Sequence, residues 1–209
     1  LPVTFPIALD DVPSSKNFPG IPLDPNAEKP ANPLQGIPSE EIYKEGIYVG
    51  YRYFDTFEIP VSYPFGYGMS YTTFEYSDLL VESGATISVS FTVKNTGSVA
   101  GKEIAQLYVT APEGTLEKPS KELKAFAKTA LLEPGASETI TLEINPESLA
   151  SYDDKKHAWI LDRGTYTLSI ADNIASSKLK ATLEIEATTV RETEALLVPQ
   201  KALNTLSKN

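Results

Sequence analysis

The residues best suited to chemistry stand in the short stretch YRYFD, where Arg52 lies between Tyr51 and Tyr53 and is followed by Asp55. A guanidinium group donates hydrogen bonds in a fixed fork geometry that matches carboxylates and paired hydroxyl groups. Tyr51, Arg52 and Asp55 are therefore candidate cleft residues for a hydroxylated or acidic ligand. The alternative is an ion pair between Arg52 and Asp55 that fixes the segment structurally, and we favour this structural interpretation.

Most other catalytic chemistry is excluded by composition. The chain has no cysteine and a single histidine, His157, so thiolate metal sites, histidine clusters and an internal Ser-His-Asp triad are ruled out. The stretch GYGMSY lacks the third glycine of a dinucleotide loop, and Asp153 with Asp154 is too sparse for a calcium loop. The sequence therefore predicts neither a metal site nor another cofactor.

Charge excludes two classes of partner. The 209 residues include 28 acidic and 18 basic side chains, which gives a net charge of −10. An acidic protein repels both the phosphate backbone of nucleic acid and an anionic membrane surface. No apolar run reaches the roughly 18 residues that a membrane span needs. The sequence thus predicts no nucleic acid partner and no membrane partner.

The candidate residues lie in an unusually aromatic segment, residues 43–76, which holds twelve of the 20 aromatic residues and shows neither a helical nor a strand period. Each buried ring covers roughly 150 to 250 Å², and so many exposed rings would exceed what soluble monomers tolerate. We therefore expect the segment to be an interdomain seam that packs against a second body.

A proline-rich region precedes the seam. Residues 1–40 contain nine of the 16 prolines but also many large apolar residues, which predicts an extended strap lying on a partner surface rather than a solvated linker. The opening LPVTFP lacks the features of a natural start or a signal peptide, so we expect a fragment of a longer precursor or one chain of a nicked protein. Any targeting signal would lie upstream, and the compartment is not predicted.

From Thr73 onward the pattern becomes that of an antiparallel sheet protein. Apolar and polar residues alternate, separated by turn sequences such as KNTGSVAG and LEPGAS, over residues 87–93, 105–109, 140–144, 166–170 and 179–185. This predicts a mainly β fold, an immunoglobulin-like sandwich of about seven strands that, without cysteine, is of the fibronectin type III-like kind. We expect Trp159 to be a core ring, with a sugar-stacking platform as the alternative.

Several motifs together carry a family resemblance: EGIYVGYRYFD, YPFGYGMSYTTFEY, VSFTVKNTGSVAGKEIAQLYV, KPSKELKAFAK, LEPGASETITLEI and RGTYTLSIAD. In this order they resemble the C-terminal region of glycoside hydrolase family 3, the β-glucosidase and β-xylosidase family. LPVTFP resembles the last strand of that family's α/β-sandwich domain. Met69 departs from the leucine usual at its position, and residues from Thr188 onward have no counterpart.

The resemblance implies a division of labour. Residues 1–72 would complete the α/β-sandwich domain and the interdomain linker, residues 73–187 would form the fibronectin type III-like domain, and residues 188–209 would be a peripheral tail, a surface strap or frayed end with at most a short helix before Pro199. The family's catalytic aspartate and glutamate lie upstream, so this chain would hold no catalytic residue and be inactive alone. Its partner would be the N-terminal catalytic segment, through which it meets a β-glucoside or oligosaccharide.

Two function classes follow. The first is the structural, cleft-shaping C-terminal part of a retaining, exo-acting β-glycosidase, a β-glucosidase ahead of a β-xylosidase. The second is a free-standing fibronectin-like module for adhesion or glycan binding. The aromatic seam favours the first, because an autonomous module has no use for it.

Overall fold

The computed structural model describes residues 1–32, 34–196 and 202–208. Its N-terminal region has little regular structure, as nine prolines dictate, because each removes a backbone donor. Two single-turn 3-10 helices, Leu9–Asp11 and Pro13–Lys16, interrupt the expected extended path. The remaining elements are β1 (Phe5–Pro6), β2 (Ile21–Pro22), β3 (Ser39–Glu40), α1 (Tyr51–Thr56) and β4 (Val61–Tyr63). β1 pairs with β4 and β2 with β3, both antiparallel.

The predicted antiparallel sandwich is confirmed, and its seven strands lie in two sheets within the described residues. The first sheet has the order β5-β6-β9, and the second has the order β13-β12-β7-β8. Their bounds are β5 (Phe74–Ser83), β6 (Ile87–Asn95), β7 (Ile104–Thr110), β8 (Glu122–Lys128), β9 (Ser137–Ile144), β12 (Gly164–Ala171) and β13 (Leu179–Ile185).

The core lies between the two sheets and follows the period-2 pattern of the sequence. Alternate residues of β6, Ile87, Val89, Phe91 and Val93, are at most 1% exposed, and alternate residues of β7 and β12 face them from the other sheet. Burying each such side chain contributes roughly 1.5 to 3 kcal/mol. The sandwich therefore has a continuous apolar centre without disulfides.

Strand β8 has no counterpart among the alternating runs of the sequence. It is the edge strand of its sheet, next to β7, and its sequence ELKAFAK places small alanines toward the core and leaves Phe126 68% exposed. Edge strands bury less side-chain area than central ones, so their apolar alternation is weak. This explains why the pattern does not reveal β8.

A third, smaller sheet lies at one end of the sandwich. It consists of β10 (Ser151–Asp153), β11 (Ala158–Leu161) and β14 (Thr188–Glu192), with β11 in the centre. The expectation that the chain from Thr188 onward is a strap or frayed end is therefore wrong for β14, which pairs with β11 from Ala158 to Leu161. The short helix before Pro199, which the sequence allowed but did not favour, does not form over residues 188–196, and residues 197–201 lie outside the described residues.

Trp159 is also placed differently from the expected core position. It lies half-buried in β11, between Tyr152 of β10, whose ring centroid is 5.5 Å away, and Arg191 of β14, whose guanidinium is 5.9 Å from the indole centroid. These cross-strand neighbours cover the ring and hold the three strands together. Trp159 thus stabilises the small sheet, and neither a core ring nor an open sugar platform describes it.

The replacement Phe91→Ala tests the core directly. Phe91 is fully buried, so we expect its loss to lower the free energy of unfolding by about 3 to 5 kcal/mol. Phe126→Ala, on the exposed side of β8, is the matched control and should change it by less than about 0.5 kcal/mol. Urea unfolding followed by circular dichroism measures both, and equal effects would contradict the assigned core.

Candidate functional site

Helix α1 brings the candidate residues together on the outside of the sandwich. It begins after Gly50, which has φ +59°, a backbone conformation that favours glycine, and it buries Phe54. Six residues are too few to display a helical period in the sequence, so the pattern could not reveal it. The helix and its flanking residues 45–66 pack against β7, β8 and the connection between them, residues 111–121. We call this contact the joint.

Tyr51 is the central ring of the joint. Its hydroxyl accepts a hydrogen bond from the Leu123 backbone amide of β8 at 2.9 Å. Its ring lies 4.8 Å from the Phe65 ring and 6.2 Å from the Tyr108 ring, the latter in an edge-to-face arrangement. The tyrosine thus supplies both apolar area and a polar tip to the same contact.

Arg52 and Asp55 make separate ion pairs with the sandwich. Arg52 Nη2 lies 2.8 Å from Glu122 Oε1, and Asp55 Oδ1 lies 3.2 Å from Lys121 Nζ. Asp55 also accepts a hydrogen bond from the Ser120 hydroxyl. The Arg52–Asp55 pair that the sequence favoured is replaced by these two pairs, in which each side chain has a partner of opposite charge at the sandwich. Both side chains therefore tie α1 to the sandwich.

Gln106 of β7 is a buried polar residue of the joint. This buried amide donates to the Asp172 carbonyl oxygen at 2.6 Å and accepts from the Tyr108 hydroxyl at 2.6 Å. Gly66, with φ +85°, lies directly over it, and a side chain at Gly66 would come within 2.6 Å of the Gln106 amide. The glycine is required both for the turn and for this close approach.

Tyr48 anchors the beginning of the joint. It is fully buried, its ring packs 5.0 Å from Phe57, and its hydroxyl donates to Glu117 Oε2 at 3.2 Å. Burial raises the pKa of Tyr48 to about 12, and the charge of Glu117 and the hydrogen bond to it act in the same direction. These surroundings therefore favour the neutral phenol at this position.

Many large apolar residues of the seam and of the proline-rich region 1–40 are exposed in this structure. Tyr71 is 97% exposed and Leu34 is 93% exposed. Further exposed large apolar residues of residues 1–72 include Ile7, Leu9, Phe18, Ile21, Leu23, Tyr43, Val49, Tyr63 and Met69. The expected packing of the seam is thus divided: some of its rings pack on the chain's own sandwich, whereas these exposed residues, which we together call the open apolar face, have no cover among the described residues.

The arrangement is structural in its chemistry. Tyr51, Arg52 and Asp55 lie side by side as the sequence suggested, but their polar groups point to β8 and its preceding loop. Across residues 1–32, 34–196 and 202–208, no group of three or more acidic or histidine side chains is placed to hold a metal ion. In the same residues no helix has the length and apolar character to cross a membrane.

Residues 103–174 match the model of the fibronectin type III-like domain family. Over a longer stretch that includes this domain, the chain is 41% identical to β-glucosidase BoGH3A of Bacteroides ovatus; the match covers 191 residues, which is 89% of this chain and 24% of the relative. It is 38% identical to thermostable β-glucosidase B of Acetivibrio thermocellus, over 88% of this chain and 23% of the relative. The chain therefore spans about a quarter of the length of these relatives.

Solved structures agree. The chain superimposes on β-glucosidase 3B of Thermotoga neapolitana, in complex with α-D-glucose, with a TM-score of 0.80 and 44% identity over 90% of this chain and 25% of that one. A β-glucosidase of Paenibacillus barengoltzii gives 0.81 and 35% over 96% of this chain and 22% of that one. The predicted resemblance to the C-terminal region of glycoside hydrolase family 3 is confirmed, and the free-standing module is disfavoured.

Tyr51→Phe tests the hydrogen bond of the joint. The change leaves the Leu123 amide without its acceptor, so we expect the free energy of unfolding to fall by about 1 to 3 kcal/mol. Tyr53→Phe, on the same helix, is the control, because the Tyr53 hydroxyl makes no hydrogen bond within the described part of the chain. Chemical unfolding of both variants measures the difference, and a silent Tyr51→Phe would disprove the role of this bond.

Tyr48 also predicts a dependence of stability on alkaline pH. Its pKa rises from 10.0 to about 12 on folding, so between these values the folded chain binds more protons than the unfolded chain. Its contribution to stability is thus complete below pH 10 and is lost as the pH rises toward 12. Tyr48→Phe should flatten the loss of stability over this range relative to the exposed control Tyr43→Phe. Unfolding curves from pH 9 to 12 provide the comparison, and identical slopes would contradict it.

Proposed function

We propose that this chain, the counterpart of the C-terminal region of family 3 β-glucosidases, forms part of a retaining, exo-acting β-glucosidase whose catalytic carboxyl groups lie on an upstream segment. The chain's role is to complete and support the catalytic domains rather than to perform the chemistry. The single observation that supports this most strongly is the open apolar face, which needs a partner surface of matching size.

The contacts of the joint support the proposal that it holds no catalytic pair. Retaining hydrolysis requires two carboxyl groups about 5 to 5.5 Å apart on opposite sides of a sugar. The joint's carboxylates Asp55 and Glu122 are instead engaged by Lys121 and by Arg52 and Lys124, at 2.8 to 3.2 Å. They hold the helix against β8.

The substrate proposal rests on the relatives. Those quoted above are β-glucosidases by name, and the structure from Thermotoga neapolitana contains α-D-glucose. We therefore propose terminal β-linked glucose as the substrate residue of the assembled enzyme, with β-xyloside as the alternative to be compared in the same assay.

The proposal also assigns a partner and a site for it. The upstream segment of the same polypeptide covers the open apolar face, while Tyr51, Arg52 and Asp55 keep that face rigid from behind. In this view the residues 1–72 belong to the α/β-sandwich domain and residues 73–187 to the fibronectin type III-like domain. Substrate meets this chain only through the assembled cleft.

Activity of the separated and assembled parts tests the proposal. The purified 209-residue chain should not hydrolyse an aryl β-glucoside, whereas co-expression with the upstream segment should give activity, higher on the β-glucoside than on the β-xyloside. Turnover by the chain alone would overturn the assignment of its role.

Two matched phenylalanines locate the partner surface. Phe18 is 70% exposed and lies in the proline-rich region 1–40, and Phe126 is 68% exposed and lies on the sandwich. Burying a phenylalanine contributes about 1.5 to 3 kcal/mol, so Phe18→Ala should weaken association with the upstream segment about ten- to hundredfold while Phe126→Ala does not. Equal association of both variants would contradict the proposed face.

Arg52→Ala separates a joint residue from a substrate residue. If Arg52 acts through the joint, its loss should reduce stability and assembly and leave KM unchanged. A raised KM with normal assembly would instead place Arg52 at the substrate, because only binding of substrate would be lost.

A further inference from the structure

The segment 202–208 lies against the body of the chain, although most of it is exposed. The Leu206 amide donates to the Lys44 carbonyl oxygen at 2.7 Å, and Leu206 is the half-buried residue of the segment. The Thr205 side chain lies beside Gly46, close enough that a Cβ atom at Gly46 would be 3.4 Å from it. Gly46 has φ +57°, so both its backbone and this close neighbour favour glycine.

A second set of contacts joins the same segment to the loop 111–121. Glu117 Oε1 accepts a hydrogen bond from the Ser207 hydroxyl and another from the Lys208 backbone amide at 3.0 Å. Hydrogen bonds to an ionised carboxylate are stronger than neutral ones. The segment is thus held at two points, at Thr205 and Leu206 and at Ser207 and Lys208.

Glu117 connects three parts of the chain through its two oxygens. Oε1 binds residues Ser207 and Lys208, while Oε2 accepts from the hydroxyl of Tyr48 in the joint. The hydrogen bond from Ser207 is the largest effect that holds the pKa of Glu117 below its usual range, and the bonds from Lys208 and Tyr48 act in the same direction. The carboxylate form is therefore the one that these contacts stabilise.

We propose that residues 202–208 form a strap that fastens the start of the joint, Lys44–Tyr48, to the loop 111–121, and that Glu117 is the clasp of this strap. The loop that it holds also carries Ser120 and Lys121, the partners of Asp55. Fastening the loop thus supports the ion pair that ties α1 to the sandwich, from a distant part of the sequence.

The strap can open without unfolding the sandwich. Its contacts are hydrogen bonds at the surface, whereas the sandwich is held by fully buried side chains, so the strap opens at a much lower free energy. Lys208 also forms part of the wall of a cavity of about 480 Å³, which the loop residues Thr110–Ser120 otherwise line. Opening the strap therefore withdraws Lys208 from this wall and frees the loop.

Hydrogen exchange on the full 209-residue chain tests the strap. The Leu206 amide should exchange about tenfold or more slowly than an unprotected amide, and Glu117→Ala should remove this protection. Peptides covering residues 44–48 and 111–121 should exchange faster in the variant, while peptides from β6 and β12 remain unchanged. Glu113 is an exposed glutamate of the same loop, so Glu113→Ala is the matched control. It should leave the exchange rates of the Leu206 amide and of residues 44–48 and 111–121 unchanged.

Two further variants separate the strap from the joint. Ser207→Ala removes one of the two bonds to Glu117 Oε1 and should give an intermediate loss of protection at Leu206. Tyr48→Phe removes the bond to Oε2 and should leave the Leu206 amide protected. Glu117→Ala alone leaves the buried Tyr48 hydroxyl without its acceptor, and the double variant Tyr48→Phe with Glu117→Ala removes that side effect. The Leu206 amide should still lose its protection in the double variant.

Either of two results would overturn the proposal. One is a Leu206 amide that exchanges as an unprotected amide in the unaltered chain. The other is equal exchange of residues 44–48 and 111–121 in the Glu117→Ala and Glu113→Ala variants. Both are independent of the proposed catalytic activity, because they are measured on this chain alone.

Discussion

The position of the Tyr51 side chain, between the Leu123 amide and the rings of Phe65 and Tyr108, is the contact on which the rest of the joint depends. It orients α1, and the orientation of α1 determines that Arg52 reaches Glu122 and that Asp55 reaches Lys121. A phenylalanine would supply the same apolar area but no acceptor for the edge-strand amide, which would then be an unpaired backbone donor. The Tyr51 hydroxyl thus gives the Leu123 amide of edge strand β8 a hydrogen-bond acceptor at the contact between α1 and the sandwich.

This contact explains why rings are crowded into a segment without a period. Rings that pack on the sandwich, such as Tyr51 and Phe65, hold the segment against it as a layer, and exposed rings, such as Tyr71, remain free for another surface. A layer with two working faces needs large side chains in both directions, and aromatic residues supply the most area at the smallest cost in conformational entropy. Glycines such as Gly66 let the layer turn tightly over the buried amide of Gln106.

The sandwich was predictable from the sequence because its inner residues alternate, as Ile87 to Val93 show, and the family motifs indicated its wider context. The features that were missed depend on contacts between distant residues. β8 carries alanines where a central strand would carry larger residues, α1 is too short to show a period, and β14 is recognisable only through its pairing with β11. Likewise, no local pattern indicates that Arg52 pairs with Glu122 rather than with Asp55. Nor does one indicate that Glu117 accepts hydrogen bonds both from Tyr48 and from the segment 202–208.

The aromatic layer and the sandwich should open as one cooperative unit. Native-state hydrogen exchange can test this on the Leu123 amide, whose acceptor is the Tyr51 hydroxyl, and on the Ile174 amide, whose acceptor is the Phe65 carbonyl. Both amides should exchange with the same opening free energy as the amide of Phe91 in the core, which reports global unfolding. Opening free energies several kcal/mol lower at Leu123 and Ile174, typical of local opening, would show instead that the layer detaches from an intact sandwich.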